Sequence, residues 1–160
     1  MFNIDGAVRG APGPAGAGGV IRDEAGIWIL GFSETVGHCS VLKAELRAIL
    51  RGLKLAKEAS ISKLWINTDS IAVVNVLTNH PGWHTENHSI IQQCKQLLSW
   101  EGWETHLTHC YREANQVADM LAKIAIDRPL GVRIYREPPV EVQDSVHADS
   151  TGVFWPRAAL

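Results

Sequence analysis

Val41-Leu42-Lys43-Ala44-Glu45-Leu46-Arg47-Ala48-Ile49-Leu50-Arg51-Gly52-Leu53-Lys54-Leu55-Ala56-Lys57-Glu58-Ala59 is where the hydrophobic period of this chain changes from two to nearly four. Leu42, Leu46, Ile49, Leu53 and Ala56 recur at helical spacing, and Lys43, Arg47, Arg51 and Lys54 line another face. The pattern predicts an amphipathic helix of about five turns with a solvated basic side. Upstream, residues 1–5, 17–22 and 27–32 are apolar, β-branched runs. The first two are separated by Gly10-Ala11-Pro12-Gly13-Pro14 and the last two by Asp23-Glu24-Ala25-Gly26, both turn signals, so three antiparallel strands precede the helix. Downstream, 63–68 and 104–110 read as strands and 70–78, 87–100 and 116–127 as helices. Strands followed by a βαβα succession predict an α/β sandwich of mixed sheet and helices.

Past Asp127 the periodicity stops. Residues 128–160, with Pro129, Pro138, Pro139 and Pro156, read as a loop-rich tail to a domain spanning 1–127. Phe154 and Trp155 either anchor that tail or stay exposed. The whole chain, 160 residues with 46% hydrophobic and 20% charged, fits one ordinary globular domain. A formal net charge of −2 excludes a large sequence-independent attraction to nucleic acid, so any such partner is held by local features and metal ions. Cys39, Cys94 and Cys110 form no C-x-x-C and no even set, which points away from a disulfide framework and towards a reducing compartment. No signal-peptide pattern or membrane-length apolar run is present, and the chain reads as soluble and intracellular, nucleus or cytoplasm not distinguished. It begins almost inside its first strand, as a domain derived from a longer protein would.

Four acids sit at element ends in the order Asp5, Glu45, Asp69, Asp119. Glu45 lies beside the apolar stripe of the long helix, where a carboxylate is costly unless a cation meets it. Asp5 and Asp69 each end a strand at its carboxyl side, where open α/β sheets place ligand crevices. Each also has an ordinary reading: turn or cap for Asp5 and Asp69, favourable helix-dipole placement for Asp119, a snorkelling edge acid for Glu45.

Asn3-Ile4-Asp5-Gly6-Ala7, the glycine-rich 10–19 segment, Ala44-Glu45-Leu46, Thr68-Asp69-Ser70 and Arg112-Glu113-Ala114-Asn115-Gln116-Val117-Ala118-Asp119-Met120-Leu121-Ala122 together resemble the type 1 ribonuclease H family. The resemblance is strongest to the plant ribonuclease H-like domains related to non-LTR retrotransposon reverse transcriptases. It implies a ribonuclease H-like α/β fold, a five-stranded mixed sheet flanked by helices. It further implies a metal-dependent endonuclease that hydrolyses the RNA strand of RNA/DNA hybrids. Asp5, Glu45, Asp69 and Asp119 would be its metal ligands, with Asp5 bridging two ions. The cofactor would be Mg²⁺, with Mn²⁺ as substitute, because hard cations take oxygen ligands and relieve a repulsion of roughly 4 kcal/mol between carboxylates about 4 Å apart. His109, ten positions before Asp119, takes a supporting role in proton transfer or product release. Gly6, Ser40, Ser70 and Asn115 are placed at the substrate. The partner would be an RNA/DNA hybrid, and the protein a monomer or a module of a larger reverse-transcriptase-like chain.

Departures from the family pattern are also legible. Ala11, Val41-Leu42 and Ile71 stand where asparagines and a glutamine read the minor groove, and residues 78–89 carry histidines but no Lys or Arg in place of a basic protrusion. They keep open a second reading, a non-catalytic domesticated nucleic-acid-binding or protein-interaction domain. Ala7 argues against a proofreading-type exonuclease, which would carry a glutamate there. His80, His84 and His88 share a four-residue spacing, but Pro81-Gly82 interrupts any common helical face, and no metal role is assigned to them.

Overall fold

A computed structural model describes residues 1–10, 12–78 and 86–150. Its elements run β1 (Phe2–Val8), β2 (Gly13–Arg22), β3 (Trp28–Cys39), α1 (Val41–Glu58), β4 (Lys63–Thr68), α2 (Ile71–Thr78), α3 (His88–Leu98), β5 (Glu104–His109), a 3₁₀ turn over Arg112–Asn115, α4 (Gln116–Ile126), β6 (Gly131–Tyr135), a second 3₁₀ turn over Val140–Val142, and α5 (Gln143–Ser150). The strands form one mixed sheet in the order β5-β4-β1-β2-β3-β6. β1 pairs antiparallel with β2 and parallel with β4, so it lies inside the sheet.

The two faces are covered by different helices. Side chains alternate across a strand, and on β2 a Cβ at Gly18 would meet the Ala122 nitrogen of α4 at 2.4 Å, whereas one at Gly19 would meet the rings of Phe32 and Phe2. Phe2 in turn fills the notch left by Gly52 of α1. So α4 closes one face, while α1, with α2 and α3 beside it, closes the other over a core of Phe2, Ile4, Phe32, Leu46, Ile49, Leu53 and Ile66.

Ser40 starts α1 as its N-cap, accepting from the Lys43 amide at 3.2 Å. The expected solvated basic face of this helix is only partly so. Arg47 and Arg51 turn to Glu34 of β3 at 3.1 and 3.0 Å, and Glu34 is 4% exposed. The ion pairs fix the rotation of α1 over the sheet.

Two expectations are corrected. The sheet has six strands rather than five, and the sixth, β6, lies in the stretch read as loop-rich tail. β6 pairs antiparallel with the edge of β3, from Gly31↔Tyr135 to Thr35↔Gly131, and Val142 beyond it is buried against Val20, Val117 and Leu121. Residues 128–150 are thus attached to the 1–127 body by a strand and an apolar contact. Phe154, Trp155, His80 and His84 lie outside the described residues.

Removing Glu34 strips two guanidinium groups of their buried partner. Glu34→Gln is expected to lower stability by about 1.5–3 kcal/mol in urea unfolding.

Candidate metal centre

β1 and β4 run parallel with Ile4 level with Thr68, so Asp5 and Asp69 stand side by side; Asp69 follows the end of β4 as expected, but Asp5 lies inside β1, which continues to Val8 through its pairing with β2, and the first turns of α1 bring Glu45 over them. One carboxylate oxygen from each of Asp5, Glu45 and Asp69 lies within 4.8 Å of the others. This approach requires Gly6: a Cβ there would stand 2.5 Å from the Ala44 carbonyl carbon and the Glu45 nitrogen. The Gly6 amide donates to Asp5 Oδ1 at 2.9 Å.

Asp5 and Glu45 are 5% and 4% exposed, whereas Asp69 opens to a cleft. Burial is the largest cause holding the Asp5 carboxyl well above its ordinary range, followed by the charge of Glu45 and a hydrogen bond with it, then the charge of Asp69 and a hydrogen bond with Asp119. Glu45 is also pushed up, first by burial and then by Asp69 and Asp119, against hydrogen bonds from Asp5 and the Gly6 amide. Asp119, on the first turn of α4, is not one of the three clustered carboxylates; it approaches from the face of the sheet where α4 packs over Gly18, the β2 partner of Asp5. The Asp119 carboxylate is held by Lys123 at 2.8 Å. Glu45 Oε2 is buried with no hydrogen-bond partner among the described residues. An orphaned acceptor among like charges fits a hard divalent cation, whose ligands are carboxylate oxygens.

The remaining expected residues divide. His109 lines the cleft of about 330 Å³ beside Glu45, Asp69 and Ser70, its ring edge-on to Tyr111 at 5.5 Å. Ser70 caps α2, accepting from the Val73 amide at 3.2 Å. Ser40 faces an adjoining cleft of about 580 Å³ with His38, Lys43 and Asn87. Asn115 departs from the expected placement at the substrate: it is 1% exposed, its Nδ2 donates to the Ile4 carbonyl at 2.7 Å, and its Oδ1 accepts from Asn3 Nδ2 at 3.1 Å. His88 begins α3. Sequence reading missed Arg112, which lines the carboxylate cleft 3.8 Å from Asp69, and Cys110 and Tyr111 beside it. Arg112 opens one of the stretches that carry the family resemblance without standing out as functional there, and Cys110 and Tyr111 had no signal beyond proximity to His109.

Fold and acid placement define a ribonuclease H-like α/β domain. A family model described as reverse transcriptase-like matches residues 3–125, and the chain belongs to that family. It is 36% identical over 155 residues to a protein of Arabidopsis thaliana with a provisional ribonuclease H name, covering 97% of this chain and 25% of that protein. It is 30% identical over 128 residues to ribonuclease HI of Halobacterium salinarum, 78% of this chain and 62% of that protein. The chain therefore spans from a quarter to less than two thirds of these relatives. Among solved structures, RNase H1 of the same halophilic archaeon superposes with a TM-score of 0.73 at 29% identity, over 79% of this chain and 96% of that one. LC11-RNase H1, solved in complex with an RNA/DNA hybrid, superposes with 0.66 at 28% identity, over 79% and 95%. No helix among the described residues is long and apolar enough to cross a membrane.

The raised carboxyls set a pH dependence. A group whose folded pKa lies above its unfolded value contributes stability below the unfolded pKa and loses it as pH rises through the folded one. The metal-free protein should therefore lose stability from about pH 4 upwards. Asp5→Asn in EDTA is expected to melt about 3–6 °C above wild type at pH 8, a gain that shrinks towards pH 4.

Proposed function

We propose that this protein is a divalent-metal-dependent ribonuclease that hydrolyses the RNA strand of RNA/DNA hybrids. The observation that carries the proposal is the buried carboxylate set, whose Glu45 Oε2 has no hydrogen-bond partner among the described residues, in a chain of this family. A binding module gains nothing from like charges gathered in its interior, since each resists burial.

Asp5, Glu45, Asp69 and Asp119 would hold Mg²⁺ or Mn²⁺. When bound, such ions activate a water and stabilise a leaving oxygen at phosphorus. The chain's own groups set the rest. Asp5, most deeply enclosed, fixes the centre, and the Gly6 amide orients its Oδ1. Asp69, facing the cleft, admits a phosphate from solvent, and the Arg112 guanidinium beside it supplies a cation that leaves Asp69 for the incoming phosphate. His109, at the rim, carries protons or eases product release. Ser40 and Lys43 at the start of α1 offer a hydroxyl and an ammonium to a backbone phosphate of the second strand, in a cleft that meets the first at Val41. No covalent enzyme intermediate is needed. The missing groove-reading amides leave recognition to backbone contacts, so binding should be weak and salt-sensitive. The longer protein in which such a domain works would be a reverse-transcriptase-like chain.

A labelled RNA/DNA hybrid incubated with Mg²⁺ or Mn²⁺ should be cut in its RNA strand, with EDTA and Asp69→Asn each lowering the rate by more than a hundredfold. Equal inertness of wild type and Asp69→Asn across salt and protein concentration would instead support the non-catalytic interaction domain.

A further inference from the structure

Asn115 is the residue before α4 and occupies the N-cap position, but it makes no capping hydrogen bond. Asparagine at that position ordinarily gives its oxygen to an amide of the first helical turn. Here the whole side chain crosses to β1 instead. Its Nδ2 donates to the Ile4 carbonyl at 2.7 Å and its Oδ1 accepts from Asn3 Nδ2 at 3.1 Å; Asn3 Nδ2 also donates to the Ala114 carbonyl at 3.4 Å. Both amides are enclosed, Asn3 at 6% and Asn115 at 1% exposure, and Asn3 Oδ1 has no partner among the described residues.

The spacing gives this pair a second meaning. Asn3 and Asp5 are two apart on a strand and share a face; Asn115 and Asp119 are four apart at the start of α4 and lie one above the other. Asn3 meets Asn115 on one rung between β1 and α4; Asp5, two residues on, is level with Gly18, which packs against the Ala118 carbonyl beside Asp119, so Asp5 faces the turn of α4 that carries Asp119 on the next. Stability alone does not call for the first rung, because two buried amides with an orphaned acceptor are no better than a well-packed apolar pair. The second rung does call for it, since Asp5 and Asp119 repel when ionised and α4 must not yield.

We propose that the Asn3–Asn115 amide pair is a positioning device that sets the separation of Asp5 from Asp119 and thereby the affinity of the site for divalent ions. The inference rests on the metal-dependent reading above. Asn115 acts through Asp119 and touches neither ion nor substrate.

Isothermal titration of the intact protein with Mn²⁺ tests it. Asn115→Ala should weaken Mn²⁺ binding about tenfold or more, and Asn3→Ala, which spares the bond to Ile4, should weaken it less. In an Asp119→Asn background, Asn115→Ala should change the affinity no further. Leu55→Ala, 6% exposed and roughly 15 Å along α1 from Glu45, serves as the control: it should lower the melting temperature and leave Mn²⁺ affinity intact. Wild type binding Mn²⁺ with Asn3→Ala and Asn115→Ala equal to it, however much they lose in melting temperature, overturns this inference and leaves the proposed function standing. Should Asn115→Ala fail to fold, Asn3→Ala at wild-type affinity overturns the inference by itself. Wild type that binds no Mn²⁺ overturns both.

Discussion

Asp5, inside β1, and Glu45, on α1 above it, are enclosed together, and neither has a cation against it among the described residues. Holding two acids there is unfavourable in the metal-free state, and the surrounding architecture works against their separation. β1 is hydrogen-bonded on both sides, so Asp5 cannot retreat along the sheet. The missing Cβ at Gly6 lets α1 come down until Glu45 touches, and the Glu34 ion pairs stop α1 from rolling away. From the opposite face α4 seats on Gly16 and Gly18 and delivers Asp119. The surplus negative charge is then met at the rim by Lys123 and Arg112.

This arrangement separates rigid from responsive parts. Asp5, Glu45 and the amides behind them are interior groups with fixed neighbours. Asp69, His109 and Arg112 stand at the cleft with room to change partners. A site that must bind ions, admit a phosphate and release products is served by that division: the enclosed acids preorganise, the open ones exchange.

How much of this was legible in the chain depended on the range of the interaction. α1 was readable because its apolar residues repeat within one helix, and the observed Val41–Glu58 falls within a residue of the predicted 41–59. β3 ran well past its expected end because Ser33, Glu34 and Thr35 look like loop residues. Their partners, the Leu121 and Ala125 carbonyls and Arg47 and Arg51, are supplied by distant helices. β6 was missed because five residues after Pro129 become a strand only through the free edge of β3. Asn115 was assigned to substrate for the same reason: its amide partners lie 111 and 112 residues away on β1. The acids were singled out by their places at element ends and beside the apolar stripe, but that they converge was implied only by the family resemblance, since no local pattern shows it.

The central claim is that this acid cluster is a cation site, and anomalous diffraction from crystals grown with Mn²⁺ tests it most directly. The account predicts an anomalous peak enclosed by the carboxylates of Asp5, Glu45 and Asp69, with Glu45 Oε2 among its ligands. Ordered carboxylates at that place with no peak between them, in crystals where Mn²⁺ is bound elsewhere, would contradict it.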